Sequence, residues 1–259
     1  MEETMNPDFA ICLPTFNRAK YLPECLDSLI TEAQSHDVPI YIADNHSTDE
    51  TEHIISEYSK KYRLLFTHRH ESNIGFNANC LHVLKMCSAR FALWFSDDST
   101  LNPGALSQIL GYLRTNPELS LLGFNNRLIS LDAQSVIAER AMQLHDDKVY
   151  NDCRIFFRDF ADILGLPYAT LVVRRKDIDE VDVSRFMETH HMYLGYIFEY
   201  LAREFTRKKS NNIVVSMQPL VSLRLNSHCF LDIIHQVHGV SYLTLLRKQH
   251  PLYNPVQRI

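Results

Sequence analysis

Two adjacent carboxylates, Asp97 and Asp98, follow the apolar run 91–95 after a single serine. Like charges this close repel each other, so such a pair is costly unless a cation binds it. Mg²⁺ or Mn²⁺ takes one or two carboxylates and completes its coordination with phosphate oxygens and water. The pair therefore predicts a metal and phosphate site. The structural alternative is a solvated turn that caps the helix expected to begin at Pro103.

Two further polar positions follow apolar runs earlier in the chain. Asp44 ends the run 38–43, and Thr15 comes just after the first run. A carboxylate at the Asp44 position can accept the N3–H of uracil or thymine, a hydrogen that cytosine lacks. The alternative is that Asp44 caps the next helix, but Ser47 and Glu50 already form a capping-box pattern there.

The elements that must position these residues alternate along the first half of the chain. Short apolar runs predict buried strands, and the segments between them have helical spacing, as in a doubly wound sheet; the strands are 9–13, 38–43, 64–66 and 91–95. Ligands bind such a sheet beyond the carboxyl ends of its strands. The later pattern is looser and predicts strands 121–131 and 169–173 and helices 154–164, 191–205 and 231–247.

Composition limits the class of protein. The 259 residues are 46% hydrophobic and 22% charged, with a net charge of −5, so nucleic acid is not an expected partner. The six cysteines have no metal-type spacing and are expected to be buried, reduced thiols. The sequence contains no secretory signal and no apolar run of about 20 residues. We therefore expect a cytoplasmic protein.

Four segments, taken in order and spacing, resemble glycosyltransferase family 2; they are ICLPTFNRAKYLPECLDSL, IADNHSTDET, ESNIGFNANCLHVL and WFSDDSTLNPGAL. The resemblance covers roughly residues 9–115. It implies the GT-A fold, a three-layer α/β/α sandwich with a mostly parallel, Rossmann-like central sheet. The WFSDDS segment and the pair Arg174-Arg175 further resemble enzymes that build bacterial lipopolysaccharide O-chains, such as abequosyltransferase-like proteins.

This resemblance implies a single domain, 1–259, that transfers a sugar from a nucleotide-diphosphate donor to a hydroxyl of a glycan or lipid-linked acceptor. Residues 1–130 would bind the donor, and residues 131–259 would bind the acceptor. UDP or dTDP donors are expected and CDP is possible. The reaction would invert the anomeric centre, and the resemblance to O-chain enzymes implies a role in bacterial surface polysaccharide synthesis.

The resemblance also implies a role for each matching residue. The residues expected to contact the nucleotide are Pro14, Thr15, Asp44, Asn73, Asn77 and Asp97, the last beside the ribose or the donor sugar. Asp98 would be the direct ligand of Mn²⁺ or Mg²⁺. Ser99 departs from the family pattern, because many relatives carry another Asp there. That departure implies that the protein binds the metal more weakly, or that metal binding relies more on oxygen ligands from the donor diphosphate.

The catalytic base is expected just before the helix 191–205. Inverting relatives place an Asp or Glu there, often within a Glu-Asp pair, but this sequence has Glu-Thr-His-His. Glu188, His190 or His191 could deprotonate an acceptor hydroxyl, and imidazole suits that task near neutral pH. Adjacent histidines at a helix start can equally be structural.

Other interpretations stay open at this stage. A basic cluster, Arg203, Arg207, Lys208 and Lys209, is either a solvated helix end or a surface for peripheral contact with the anionic inner membrane or a lipid-diphosphate acceptor. A sugar-nucleotide nucleotidyltransferase would need a Gly-rich phosphate loop, and only seven glycines occur in the chain. A non-catalytic GT-A-like protein that binds nucleotide-sugars is the remaining alternative.

Overall fold

The computed structural model describes residues 8–161, 168–175, 180–189 and 192–225. Its strands are, in chain order, β1 (Phe9–Thr15), β2 (Ile40–Asp44), β3 (Leu65–Arg69), β4 (Phe91–Trp94), β5 (Thr100–Leu101), β6 (Leu121–Ile129), β7 (Val136–Ala138), β8 (Lys148–Tyr150), β9 (Leu171–Arg174) and β10 (Ile213–Arg224). Its helices are α1 (Leu22–Gln34), α2 (Thr51–Lys61), α3 (Phe76–Met86), α4 (Ala105–Thr115), α5 (Cys153–Ala161) and α6 (Met192–Lys208).

All the described strands belong to one sheet with the order β3-β2-β1-β4-β9-β6-β10-β5, while β7 pairs with β6 and β8 with β10. The first four strands in that order are parallel. The other half is mixed, since β9 is antiparallel to both β4 and β6, and β10 is parallel to β6. The sheet is therefore parallel where the polar clusters follow the strands and mixed elsewhere.

Helices cover both faces of the sheet, and the alternation of side chains along β1 shows how. Ile11 and Leu13 pack with α1, α2 and α4 in one core, whereas Ala10 and Cys12 pack with α3, α5 and α6 in the other. Both faces of this strand are buried, which explains its continuous apolar sequence. The predicted three-layer α/β/α sandwich is confirmed.

Two predicted helix starts are wrong. The Ser47–Glu50 capping box does not form; Glu50 precedes α2 without a side-chain cap, and the Ser47 hydroxyl donates to Asp44 Oδ1 instead. Helix α4 begins at Ala105 rather than Pro103, after Gly104 at φ 75°. The carboxylate of Glu32, on α1, accepts hydrogen bonds from the amides of Gly104 and Leu106 at the start of α4, so a neighbouring helix supplies the missing cap.

The second half of the chain departs further from the predictions. The predicted elements 121–131, 154–164, 169–173 and 191–205 correspond to β6, α5, β9 and α6. Residues 162–164 and 191 lie outside the described residues. Strand β10 was not predicted at all; it contains Pro219, and its pairing with β6 shifts register on both sides of that residue. The predicted helix 231–247 lies outside the described residues.

Three smaller expectations can be checked. The described cysteines are free and buried, as predicted, and Cys229 lies outside the described residues; they are Cys12, Cys25, Cys80, Cys87 and Cys153. In the basic cluster, Arg203 pairs with Glu199 and Lys208 with Glu204 one helical turn away, which favours a solvated helix end over a membrane-facing patch. None of the helices in the described part of the chain is long and apolar enough to cross a membrane.

Candidate active site

The carboxyl ends of β1, β2 and β4 meet at one edge of the sheet. Thr15 at the end of β1 is in register with Asp44 at the end of β2. On the other side of β1, the Phe95 amide donates to the carbonyl of Cys12 at 2.8 Å, which brings the segment after β4 alongside. The polar clusters after these strands therefore lie together, as the sequence predicted.

A cleft of about 350 Å³ opens at this edge. It is lined by residues from β1, from the loops after β1, β2, β3 and β4, and from the start of α3: Pro14, Thr15, Phe16, Arg18, Asn45, Asn73, Gly75, Phe76, Asn79 and Asp97. Four of the six predicted nucleotide residues are among them. Asp44 and Asn77 are not.

Asp97 forms part of the cleft wall and is buried. Its Oδ1 accepts a hydrogen bond from Arg18 Nε at 3.1 Å. Burial raises the pKa of Asp97 to about 6; the Arg18 guanidinium opposes that shift, and the neighbouring Asp98 carboxylate adds to it. Asp97 is thus a carboxyl group that binds a proton more readily than usual and faces a polar cleft.

Arg18 is a cleft residue that the sequence analysis missed. Two hydrogen bonds join the loop that carries Arg18 to the segment after β2. Asn17 Oδ1 accepts the Thr48 amide at 2.8 Å, and Thr51 Oγ1 accepts the Arg18 amide at 2.8 Å. Asn17 adopts a left-handed conformation, φ 53°, at this turn. The signal in the sequence was a basic residue three positions after a strand end, within a protein of net negative charge.

Asp98 is half-buried beside Asp97 but does not line the cleft. The hydroxyls of Ser96 and Ser99 both donate to its Oδ1, at 2.5 and 3.4 Å. Asp97 and Asp98 have no third His, Cys, Asp or Glu within metal-binding reach among the described residues. Two carboxylates fit Mg²⁺ or Mn²⁺, which fill their other positions with phosphate oxygens and water, but they do not fit an ion held by protein ligands alone.

Asp44 is buried beneath the cleft. Its Oδ1 accepts the amide and hydroxyl of Ser47, and its Oδ2 accepts Arg69 Nε at 3.1 Å. The following residue, Asn45, lines the cleft, donates to Asn73 Oδ1 at 2.9 Å and accepts the Ile74 amide at 2.9 Å. Asn45, and not the predicted Asp44, therefore lines the cleft, because consecutive residues of an extended segment point in opposite directions.

Asn77 links the two halves of the chain instead of lining the cleft. Its Nδ2 donates to the carbonyls of Met187 and Thr189 at 2.8 and 2.5 Å. A second pocket of about 210 Å³ lies at this junction and includes Glu188. Gly75 and Phe76 line both this pocket and the cleft, so the two cavities adjoin.

The segment that carries Glu188 is fixed by its packing on α6. Ser184–Phe186 form a 3₁₀ turn, and the Thr189 amide and hydroxyl both donate to the Phe186 carbonyl. The Phe186 ring lies against Gly195, where an added Cβ would overlap it. Of the three predicted bases, Glu188 is exposed at the second pocket, and His190 and His191 lie outside the described residues.

Known proteins share this sequence pattern and this architecture. Residues 10–140 match the family described as glycosyl transferase family 2. The abequosyltransferase RfbV of Salmonella typhimurium is 31% identical over 114 residues, which are 43% of this chain and 34% of that protein. The chain thus spans only part of the length of the curated relatives that it matches, from 12% to 42% and 34% for RfbV.

Two solved structures have a similar fold. Staphylococcus aureus TarS 1–349, in complex with UDP-GlcNAc, aligns with a TM-score of 0.64 at 18% identity, over 85% of this chain and 59% of that one. The mannosyltransferase PcManGT from Pyrobaculum calidifontis, in complex with GDP-Man and Mn²⁺, aligns with a TM-score of 0.64 at 14% identity, over 98% of this chain and 68% of that one. The family match extends over half of the chain and the predicted fold class is confirmed, so this chain belongs to glycosyl transferase family 2.

Proposed function

We propose that this protein is a glycosyltransferase that moves a sugar from a nucleotide-diphosphate donor to a hydroxyl of its acceptor. The observation that carries the proposal is the pair of adjoining cavities. A polar cleft at the strand ends meets, across Gly75 and Phe76, a second pocket that includes the carboxylate of Glu188. A transfer between two bound substrates needs two such compartments that open onto each other.

The donor occupies the cleft in this proposal. Pro14, Thr15 and Asn73, which line the cleft, would contact the nucleoside. Asp44 does not line the cleft in the ligand-free protein, and it would have to exchange its bond from Arg69 to accept the N3–H of uracil or thymine. Asp97 lies near the ribose or donor sugar. The Arg18 guanidinium on the same wall supplies positive charge for a diphosphate, which a protein of net charge −5 must provide locally. UDP or dTDP is the expected donor nucleotide, and CDP is possible.

A divalent ion completes the donor site. Asp98 would be its protein ligand, and Mn²⁺ or Mg²⁺ fits because such ions take one or two carboxylates and draw their other ligands from phosphate and water. When bound, the ion stabilises the negative charge that develops on the nucleoside diphosphate as it leaves. PcManGT, which has a similar fold, was solved with Mn²⁺.

The acceptor occupies the second pocket, against residues from the latter half of the chain. Its hydroxyl oxygen forms a bond to C1 of the sugar, the bond from C1 to the diphosphate breaks, and the hydroxyl proton passes to a base. Glu188, His190 and His191 are the candidates for that base. Attack from the side opposite the diphosphate inverts C1. The similarity to an abequosyltransferase supports the transfer of a sugar. A glycan or lipid-linked acceptor, used in surface polysaccharide synthesis at the cytoplasmic side of the membrane, is our expectation for this chain.

The test compares Asp98→Asn with a matched control, Asp146→Asn, an exposed Asp outside both cavities. Donor binding is measured by calorimetry with and without Mn²⁺, and transfer by release of the nucleoside diphosphate in the presence of an acceptor. We expect Asp98→Asn to lose at least about 10²-fold in transfer and to lose the Mn²⁺-dependent part of donor binding, with its unfolding midpoint unchanged.

Transfer by Asp98→Asn at the wild-type rate would contradict the metal assignment. Wild-type protein that binds a donor but never releases the diphosphate, with any acceptor glycan offered, would favour the non-catalytic binding protein instead. Release of pyrophosphate from a nucleoside triphosphate and a sugar phosphate would identify a nucleotidyltransferase.

A further inference from the structure

Three histidines outside the proposed donor site come together beside β3, the outermost strand of the sheet on one side. His68 lies in the edge strand β3 and His70 follows two positions later, so both point to the same face of the sheet. His82 lies on α3, the helix that covers this face. Their ring centroids are 4.5 to 4.7 Å apart in all three pairings.

The ring nitrogens are close enough to share an ion. One nitrogen of each imidazole lies within 4.8 Å of the other two. In a tetrahedral site with metal–nitrogen bonds of about 2.0–2.1 Å, such nitrogens are roughly 3.3 Å apart. Small side-chain rotations cover that difference. His68 is exposed and the other two rings are partly so, which leaves room for the rotation and a path from solvent.

The His82 side chain has an unsatisfied polar atom in the part of the chain that the structure describes. Its Nε2 is buried and has no hydrogen-bond partner within the described part of the chain. A buried nitrogen without a partner is costly in the metal-free protein, and a metal ion at that position would remove the cost.

A neighbouring amide fixes the tautomer of a second histidine. Asn79 Nδ2 donates to the Ala43 carbonyl at 2.9 Å, which orients Asn79 Oδ1 toward His70 Nε2 at 3.1 Å. Because Oδ1 can only accept, Nε2 of His70 carries the proton and Nδ1 keeps its lone pair. Metal-binding histidines commonly have such a partner on the nitrogen that does not bind the ion.

We propose that His68, His70 and His82 form a binding site for a divalent transition-metal ion, Zn²⁺ by preference, with water as the fourth ligand. Three imidazoles without a carboxylate suit Zn²⁺, Co²⁺, Ni²⁺ or Cu²⁺, whereas Mg²⁺ and Mn²⁺ prefer oxygen ligands. This site is therefore separate in chemistry from the Asp98 site and does not depend on the proposed transferase activity.

The position of the site gives the ion a structural role. His70 and His82 bracket the segment that supplies Asn73, Gly75 and Phe76 to the cleft wall. An ion shared by both ends of this segment closes it into a loop and restricts its motion. His70 is also bonded to Asn79, which lines the cleft itself, so binding of Zn²⁺ is expected to stabilise the wall that faces the donor.

The experiment titrates tag-free, chelator-treated protein with Co²⁺ alone and follows its visible ligand-field absorption, then displaces Co²⁺ with Zn²⁺. We expect one equivalent of Co²⁺ with a tetrahedral spectrum, full displacement by Zn²⁺, and a higher melting temperature with Zn²⁺. His82→Ala, His82→Asn and His68→Ala should each bind at least about 10²-fold more weakly. The matched control His145→Ala, an exposed His away from the cluster, should bind as the wild type does.

Asp98→Ala should keep the Co²⁺ spectrum, since it alters only the proposed Mn²⁺ or Mg²⁺ ligand. Circular dichroism checks that each variant is folded. If His82→Ala does not fold, His82→Asn takes its place as the test of this ligand. The proposal is overturned if wild-type protein shows no stoichiometric binding, if the histidine variants bind as well as His145→Ala, or if Asp98→Ala abolishes binding.

Discussion

Two buried carboxylates, Glu204 and Asp97, lie in the two halves of the molecule and have different surroundings. Glu204, on α6, is surrounded by protein groups: Arg174 at 3.5 Å, Lys208 at 3.1 Å, Asn211 at 3.2 Å and the Ser120 hydroxyl. Asp97 forms an ion pair with Arg18, whose side chain is 42% exposed, and it faces a cleft. One carboxylate is saturated by the fold, and the other retains capacity for a ligand.

The difference distinguishes a structural charge from a functional one. A buried ion that the protein pairs and hydrogen-bonds fully contributes to the folded state, and removal of one partner leaves an uncompensated charge. A carboxyl whose pKa is raised by burial at a cleft lowers the stability of the ligand-free protein at neutral pH, and such groups cluster at functional sites. Substitutions at the two positions should therefore have opposite effects on stability.

The largest expected effect is on stability, from Glu204→Ala. Loss of this carboxylate leaves Arg174, which is 4% exposed, without its ion-pair partner, so the free energy of unfolding should fall by about 3–5 kcal/mol. Urea titration followed by circular dichroism measures it. The matched control Glu118→Ala removes an exposed partner of the same Lys208 and should cost less than about 1 kcal/mol. Equal losses in the two variants would contradict the comparison.

The next effect concerns pH and Asp97. The folded protein holds this proton up to about pH 6, whereas the unfolded chain releases it near pH 3.8, so the free energy of unfolding falls as pH rises between those values and is level above them. Asp97→Asn removes that dependence. The free energy of unfolding of the variant relative to wild type should rise by roughly 3 kcal/mol from pH 3 to pH 8.

Asp132→Asn is the control for this pH series. Asp132 is exposed and its pKa is lowered, chiefly by the hydrogen bond from Ser130, so its contribution to stability is present at neutral pH and lost as pH falls. The free energy of unfolding of Asp132→Asn relative to wild type should therefore fall as pH rises, opposite to the rise expected for Asp97→Asn. Parallel curves for Asp97→Asn and wild type would show that Asp97 is an ordinary surface carboxylate.

A third prediction tests the base. We expect one of Glu188→Gln, His190→Asn and His191→Asn to lower turnover at least about 10²-fold while donor affinity stays nearly unchanged. The position of Glu188 at the second pocket makes it the first to test. If a histidine is the base, activity should rise with pH through roughly 6 to 7, because the neutral imidazole is the active form. Near-normal turnover in all three variants would place the base elsewhere.

The smallest expected effect separates Asp44 from Asn45. Asp44→Ala should remove most of the preference for UDP or dTDP over ADP or GDP, a change of about tenfold, or about 1.4 kcal/mol. Asn45→Ala breaks the hydrogen bonds to Asn73 and Ile74 and should lower the affinity for all four nucleotides by a similar factor. Calorimetry with the four diphosphates measures both. A loss of base preference in Asn45→Ala alone would make Asn45 the residue that recognises the base.

The parallel half of the molecule could be predicted from sequence because its signals are local. Strands buried on both faces have continuous apolar runs, and the polar residues after them must meet at one end of the sheet. Thr15 and Asp97 accordingly line the same cleft. Asn45 and Arg18 were missed because their importance depends on where adjacent side chains point. Hydrogen bonds between loops about 30 residues apart fix those directions.

The mixed half was less predictable because its determinants are distant in sequence. Strand β10 contains Pro219 and partly exposed residues, and it becomes a strand through pairing with β6, about 90 residues earlier. The role of Asn77 depends on carbonyls 110 residues away. Likewise, α4 takes its cap from Glu32 on another helix, which no pattern within the helix reveals.

The contact of Phe186 with Gly195 has a consequence for the evolution of this family. Because an added Cβ at Gly195 would overlap the Phe186 ring, the two positions cannot vary independently. A related sequence with a larger residue at position 195 should carry a smaller one at position 186, and an Ala at 195 alone should displace the turn that carries Glu188. Covariation between these two columns of an alignment would therefore mark the relatives that keep the second pocket, even where residues 188–191 have diverged.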